Sequence, residues 1–154
     1  MGKIFDNTML EGDSIELFES GLNCTQSVLS VYSDYLNIEN KMALNIASGF
    51  GAGMGRLQET CGAVTGAYMV FGLFAGRKSS DNQEKLENTY LMVQAFRDRF
   101  LEKHNSTDCR ELLNCDLRTE EGKEYFVDKN LKTDICKKCI SDSIGLINEI
   151  LNKC

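Results

Sequence analysis

Seven cysteines punctuate this chain of 154 residues, and four of them fall where the sequence predicts a helix to start. Cys24 follows Asn23, Cys61 follows Thr60, Cys109 follows Asp108, and Cys136 lies three residues after Thr133. Asn, Thr and Asp are residue types that cap helix N-termini. The unpaired N–H groups and the dipole of a helix place partial positive charge at that end. A thiol held there loses its proton more easily, and the thiolate is both the nucleophile and the metal ligand. Four cysteines so placed predict a cysteine-based site rather than a scatter of small core hydrophobes.

Cys61 is the first choice for the reactive thiol. It opens a predicted helix, follows a glycine-rich loop whose amides can point inward, and has Arg56 close by in sequence. The segment from Gly49 to Gly66 holds six of the thirteen glycines. Gly51, Gly53 and Gly55 alternate in the loop, as a chain does where backbone turns tightly or approaches something closely. No strand precedes this loop, so a dinucleotide-binding fingerprint is rejected. Gly62 and Gly66 lie four apart beside Ala63 and Ala67, a small helical face that admits a close neighbour, itself a candidate to carry a cysteine.

The second motif is Cys136-Lys137-Lys138-Cys139, a CxxC whose spacing brings both sulfurs to one side of a helix, with lysines expected to lower their pKa. Chemistry and simple packing are equally good readings of Cys139. A thioredoxin setting needs strands around the motif, and none is visible. The single histidine, His104, ends the long predicted helix and is read as complementing its dipole. Cys115, in a polar loop, and Cys154, at the chain end, are read as incidental. The carboxylates are scattered over solvated faces.

The elements that must position these residues are all helical. There is no proline and no alternating apolar–polar run bounded by turns. Helices are expected over 13–20, from Asn23 to near Leu36, over 39–48 with Met42, Ile46 and Ala43 turned inward, and from Cys61 to Ala75. A long amphipathic helix follows over 79–104, with Leu86, Tyr90, Val93, Phe96, Phe100 and Leu101 on or near its stripe. Asp108 and Glu111 have capping-box spacing before a short helix through Leu113. Residues 116–131 read as a polar loop with a turn near Tyr125 and Phe126. The last helix runs from Asp134 to about Asn152, with Cys136, Ile140, Ile144, Ile147, Ile150 and Leu151 facing the core. The expected fold is all-α: one domain over 1–154, a bundle of about six to eight helices around a glycine-rich central helix.

The hydrophobic share of 42% and charged share of 26% are ordinary for a globular chain. A net charge of -6 and the lack of a basic stripe argue against nucleic acid. The segment Cys61 to Gly76 is too short to span a bilayer. MGKIFDNTML has neither a signal-peptide layout nor a myristoylation signal. A cytoplasmic location is expected, where clustered cysteines mean metal binding or redox chemistry more often than structural disulfides.

The stretches NCTQSVLSVY, ASGFGAGMGRLQETCGAVTGAYMVFGL, DCRELL and CKKCISDSI together resemble the C-GCAxxG-C-C family of redox-active proteins, over roughly 21–151. The family is described by four cysteines, which the resemblance carries onto Cys24, Cys61 (the CGAxxG cysteine), Cys109 and Cys136. Cys115, Cys139 and Cys154 lie outside that pattern. The resemblance implies a small helical cytoplasmic protein with thiol redox activity. It also implies a functional link to a membrane transporter, since family genes often neighbour transporter genes, and some members use selenocysteine. A related domain accompanies haem in split-Soret cytochromes. This chain has no histidine after its CxxC, so c-type haem is not carried over.

The favoured expectation is a thiol-dependent oxidoreductase. Cys61 is the attacking thiolate and Cys24, Cys109 or Cys136 resolves the mixed disulfide. Loop amides stabilise the developing charge, and a small-molecule or protein disulfide is the substrate. The alternatives are a Cys-ligated iron–sulfur cluster or zinc held by Cys24, Cys61, Cys109 and Cys136, or a transporter-associated helical subunit whose cysteines only pack. No cofactor is firmly implied, and an oligomer is compatible with the sequence.

Overall fold

The computed structural model describes residues 5–76, 78–80 and 82–154. The N-terminal residues 1–4, part of the signal-peptide reading, lie outside that range. Eight α-helices carry the described chain. The first, α1 (Asn7–Glu19), starts earlier than expected because Asp6 caps it, accepting from the Met9 amide at 3.2 Å. Gly21, at φ 111°, then turns the chain into α2 (Cys24–Ser30). Asn23 and Gln26 close a full capping box there, each side chain bonding the other's amide at 2.9 and 3.0 Å.

The expected continuation of α2 to Leu36 does not occur. Ser33 Oγ donates to the Ser30 carbonyl at 2.7 Å, Ser30 Oγ donates to Asn40 Oδ1 at 2.6 Å, and the chain passes through tight turns to Asn37 at φ 54°. Serine hydroxyls compete for backbone groups in this way. In α3 (Asn40–Ala47) the inward residues are Ala43 and Ala47, whereas Met42 and Ile46 are half exposed, against expectation. The small face is inside because α3 lies tight against α2. The Gln26 amide donates to the Leu44 carbonyl at 3.0 Å and the Asn23 amide to the Ser48 carbonyl at 3.1 Å.

The central helix is α4 (Gly62–Ala75), which packs on α2, on α5 (Gln83–His104) and on the last helix. An added Cβ at Gly62 would lie 2.8 Å from Thr25 Oγ1 and 2.9 Å from Cys24 Cβ, and one at Gly66 would lie 2.9 Å from Val28 Cβ. The small face therefore does admit a cysteine-bearing helix. The expected start of α5 at Ser79 crosses Asp81, which lies outside the described residues. Asn82 caps the helix, accepting from the Lys85 amide at 3.1 Å. Phe96 and Phe100 are buried, and Tyr90 is half exposed.

Asp108 caps the short α6 (Cys109–Leu113), and Glu111 turns its carboxylate to Ser106 Oγ instead of closing the box. The expected loop after it contains a true helix, α7 (Glu120–Asp128), capped by Thr119. A π-helical turn over Lys132–Lys137 then leads without a break into α8 (Lys138–Leu151), whose isoleucines 140, 144, 147 and 150 are buried. Tyr32 ties the far end of the core together, donating to Asn148 Oδ1 at 2.7 Å, while Asn148 donates to Asn7 Oδ1 at 3.0 Å. Among the described residues there is no strand, only an isolated antiparallel bridge between Thr60 and Asp108. No helix among them is long and apolar enough to cross a membrane.

Candidate functional site: five thiols around one pocket

That bridge sets two of the cysteines side by side. The Cys61 amide donates to the Thr107 carbonyl at 2.8 Å, and the Cys109 amide donates to the Glu59 carbonyl at 2.6 Å. Helices α2 and α8 bring the others. A pocket of about 380 Å³ is bordered by Cys24, Cys61, Cys109, Cys136 and Cys139 together. Cys115 and Cys154 are not part of it. All seven cysteines are unbridged thiols.

Local structure differs among these cysteines. Cys24 and Cys109 are first residues of their helices, capped by Asn23 and Asp108 as the sequence suggested. Cys61 does not follow its cap; it is the N-cap of α4 itself. Its side chain makes no capping hydrogen bond; the first turn is closed by its carbonyl, which accepts from the Val64 and Thr65 amides at 2.9 and 3.0 Å. Cys136 does not sit in a first turn either. It lies within the π-helical turn, whose wider winding lets Cys136 and Cys139 border the same pocket.

The thiols associate in pairs. The Cys139 thiol beside Cys61 holds the Cys61 pKa below the ordinary thiol range, and the nearby Ala63 and Val64 amides act the same way, against the cost of burial. Cys61 in turn, with burial, drives the Cys139 pKa far up, so Cys139 keeps the proton of the pair. Of the two CxxC lysines, Lys137 is engaged by Glu19. Cys136 beside Cys24, then burial, raises the Cys24 pKa well above the usual range. Burial pushes the Cys109 thiol up to about 12. Among Cys24, Cys61, Cys109 and Cys139, Cys61 alone has surroundings that favour the thiolate.

Behind Cys139 stands His104. It ends α5 as expected, but its ring is buried, stacked on Phe100 with centroids 4.4 Å apart. Its Nδ1 lies 3.9 Å from Cys139 Sγ, and its Nε2 lies 2.9 Å from Asp142 Oδ2, an ion-pair contact without an aligned hydrogen bond. The dipole reading therefore misses its main neighbours. Burial depresses the imidazole pKa, against the pull of Asp142. The unfolded chain thus binds the proton more readily below its ordinary value of 6.5. Stability is expected to fall as pH drops through and below that value, and a His104→Gln variant should lose this component. Urea unfolding at pH 7.5 and 5.5 measures both.

The glycine loop plays a different part from the one expected. Its amides turn inward on themselves: Gly55 and Arg56 donate to the Gly51 carbonyl, Leu57 to Met54 and Glu59 to Gly53. They are not offered to a sulfur. Residues 52–56 all have positive φ, with Ala52 at 53°, Met54 at 66° and Arg56 at 67°, a left-handed turn. Such a turn costs roughly 1–2 kcal/mol at each non-glycine residue. Gln58, also left-handed at φ 57°, is buried and anchors the loop. It donates to the Cys115 carbonyl at 2.8 Å and accepts from the Leu117 amide at 2.7 Å.

A zinc or iron–sulfur ligand set requires several donors meeting at one point. Among the described residues no group of three or more His, Cys, Asp or Glu side chains does so. The cysteines ring a cavity.

Cys139, His104 and Asp142 are the site residues that the sequence did not single out. The CxxC was the signal for Cys139, and Asp142 lies one turn beyond it, but nothing local links His104 to either. A family model described as "Putative redox-active protein (C_GCAxxG_C_C)" matches residues 22–150. No curated protein and no solved structure matches the chain.

Proposed function

The chain belongs to the C_GCAxxG_C_C family of redox-active proteins, and on that premise we propose that it carries out thiol–disulfide exchange through Cys61 and Cys139. The observation that carries this reading is that Cys61 and Cys139 border one pocket, with surroundings that favour the first as thiolate and hold the second protonated. A low-pKa attacking thiol beside a protonated resolving thiol is the arrangement exchange requires.

The Cys61 thiolate attacks one sulfur of a substrate disulfide, forming a mixed disulfide and releasing the other half as a thiolate. Cys139 must then lose its proton. The neutral His104 tautomer with its proton on Nε2, toward Asp142, leaves the Nδ1 lone pair facing the Cys139 sulfur. His104 takes that proton, and Asp142 holds the resulting imidazolium. Cys139 attacks the Cys61 sulfur, expels the second half of the substrate as a thiolate, and leaves a Cys61–Cys139 disulfide. Two electrons have passed to the substrate, and a dithiol donor returns them by the reverse exchange. Cys24 and Cys136, which border the same pocket, are the pair to which the bond passes next.

The test is to treat reduced protein with one equivalent of an aromatic disulfide, quench with acid, and map disulfides by mass spectrometry. A Cys61–Cys139 bond is the expected first product; a first bond excluding Cys61 overturns the reading. In His104→Gln the mixed disulfide on Cys61 should accumulate, with its resolution slowed on the order of 10²-fold, the usual contribution of a general base.

A further inference from the structure

We propose that the pocket over Cys61 selects organic anions with an apolar body, so that the compound acted on carries a carboxylate or phosphate beside an aliphatic or aromatic portion. This rests on the thiol–disulfide reading above and names its substrate class. The cavity, about 380 Å³, has the size of a small-molecule site rather than a protein groove. Phe18, Leu117 and Phe126 contribute apolar wall.

The charge of the lining points the same way. Arg56, Lys123 and Lys132 border the pocket, and among the described residues no Asp or Glu does, although the whole chain has 23 acidic residues against 17 basic ones. A one-signed cluster on a surface of opposite net sign focuses the field on its own opening. Lys132 holds its Nζ 4.9 Å from the centre of the Phe18 ring, a cation kept against an apolar wall. Lys123 is shared with Glu120 at 2.8 Å. Arg56 has no ion-pair partner among the described residues, and its planar fork suits the bidentate grip of a carboxylate or phosphate. Its position is specified by the left-handed turn that carries it.

The experiment compares a dianionic aromatic disulfide, 5,5′-dithiobis(2-nitrobenzoate), with a neutral one, 4,4′-dithiodipyridine. The readout is the ratio of their second-order rate constants at Cys61. In Arg56→Gln/Lys132→Gln that anionic-to-neutral ratio is expected to fall at least tenfold from its wild-type value. A ratio that stays within threefold of wild type overturns the proposal. Calorimetry on wild-type protein provides an independent arm with octanoate, acetate and 1-octanol as probes. Octanoate should bind at least tenfold more tightly than either of the others. Acetate binding as tightly removes the apolar requirement, and octanol binding as tightly removes the anionic one; either overturns the proposal. Should neither disulfide react at Cys61, the exchange reading falls, and the calorimetric arm still decides the ligand class.

Discussion

Cys61→Ser is expected to slow reaction with an aromatic disulfide on the order of 10³-fold while leaving the helical content unchanged, because a serine hydroxyl stays protonated where the thiol ionises. Serine is nearly isosteric and a good N-cap residue, so α4 keeps its start. The loss would therefore be chemical and not structural. Cys139→Ala separates the two roles in the pair. It removes the largest cause of the low Cys61 pKa, so the pH profile of alkylation by iodoacetamide should shift upward, toward the ordinary thiol range. A single attack on a disulfide should survive, but no intramolecular bond to residue 139 can follow it. Full reactivity in Cys61→Ser, measured by stopped-flow with circular dichroism as the folding control, would sink the assignment.

Gly53→Ala should be the most damaging methyl in the molecule's glycine loop. The added carbon would lie 2.6 Å from Gln58 Cα, 2.8 Å from the Gln58 carbonyl carbon and 2.6 Å from Cys109 Cβ, and the residue has φ 67°. Two of those contacts are backbone and cannot swing aside. Left-handed strain of about 1 kcal/mol joins an overpacking cost of roughly 1–3 kcal/mol. A loss near 2–4 kcal/mol is expected from urea unfolding. Gly12→Ala is the matched control. It stands inside α1 with nothing within 4 Å of the added carbon, and should raise stability by about 0.5–1 kcal/mol through helix propensity alone. A Gly53→Ala protein as stable as wild type would show that the loop relaxes without cost.

What could be read from the sequence was local. Asn23 and Asp108 announce helix starts because capping is a matter of three residues, and the cysteines beside them are first helical residues as expected. Gly62 and Gly66 announce a close approach because a missing Cβ has one meaning on a buried helix, and the helix that approaches carries Cys24. What failed was of three kinds. Met42 and Ile46 were placed inside on hydrophobicity, whereas the tight fit against α2 required alanine. The left-handed turn was invisible because Ala52, Met54 and Arg56 are not residue types that favour positive φ. The Cys139–His104–Asp142 row was invisible for a third reason: it joins two helices, and one histidine offers no spacing to read.

Cys61 caps α4 and Cys139 stands in α8, so a bond between them would close a loop of about eighty residues. Cross-linking a chain over that length removes disorder from its unfolded ensemble worth roughly 4 kcal/mol, before any strain in the folded state. The same quantity must appear on both sides of a thermodynamic cycle. Whatever oxidation adds to the free energy of folding, folding adds to the work of reducing the bond, roughly 90 mV for a two-electron couple. The bundle is then a tuning element for its own electron pair. Packing changes that weaken the dithiol and disulfide forms alike would leave the folded protein's potential where it is, and its melting temperature would report how many electrons it holds.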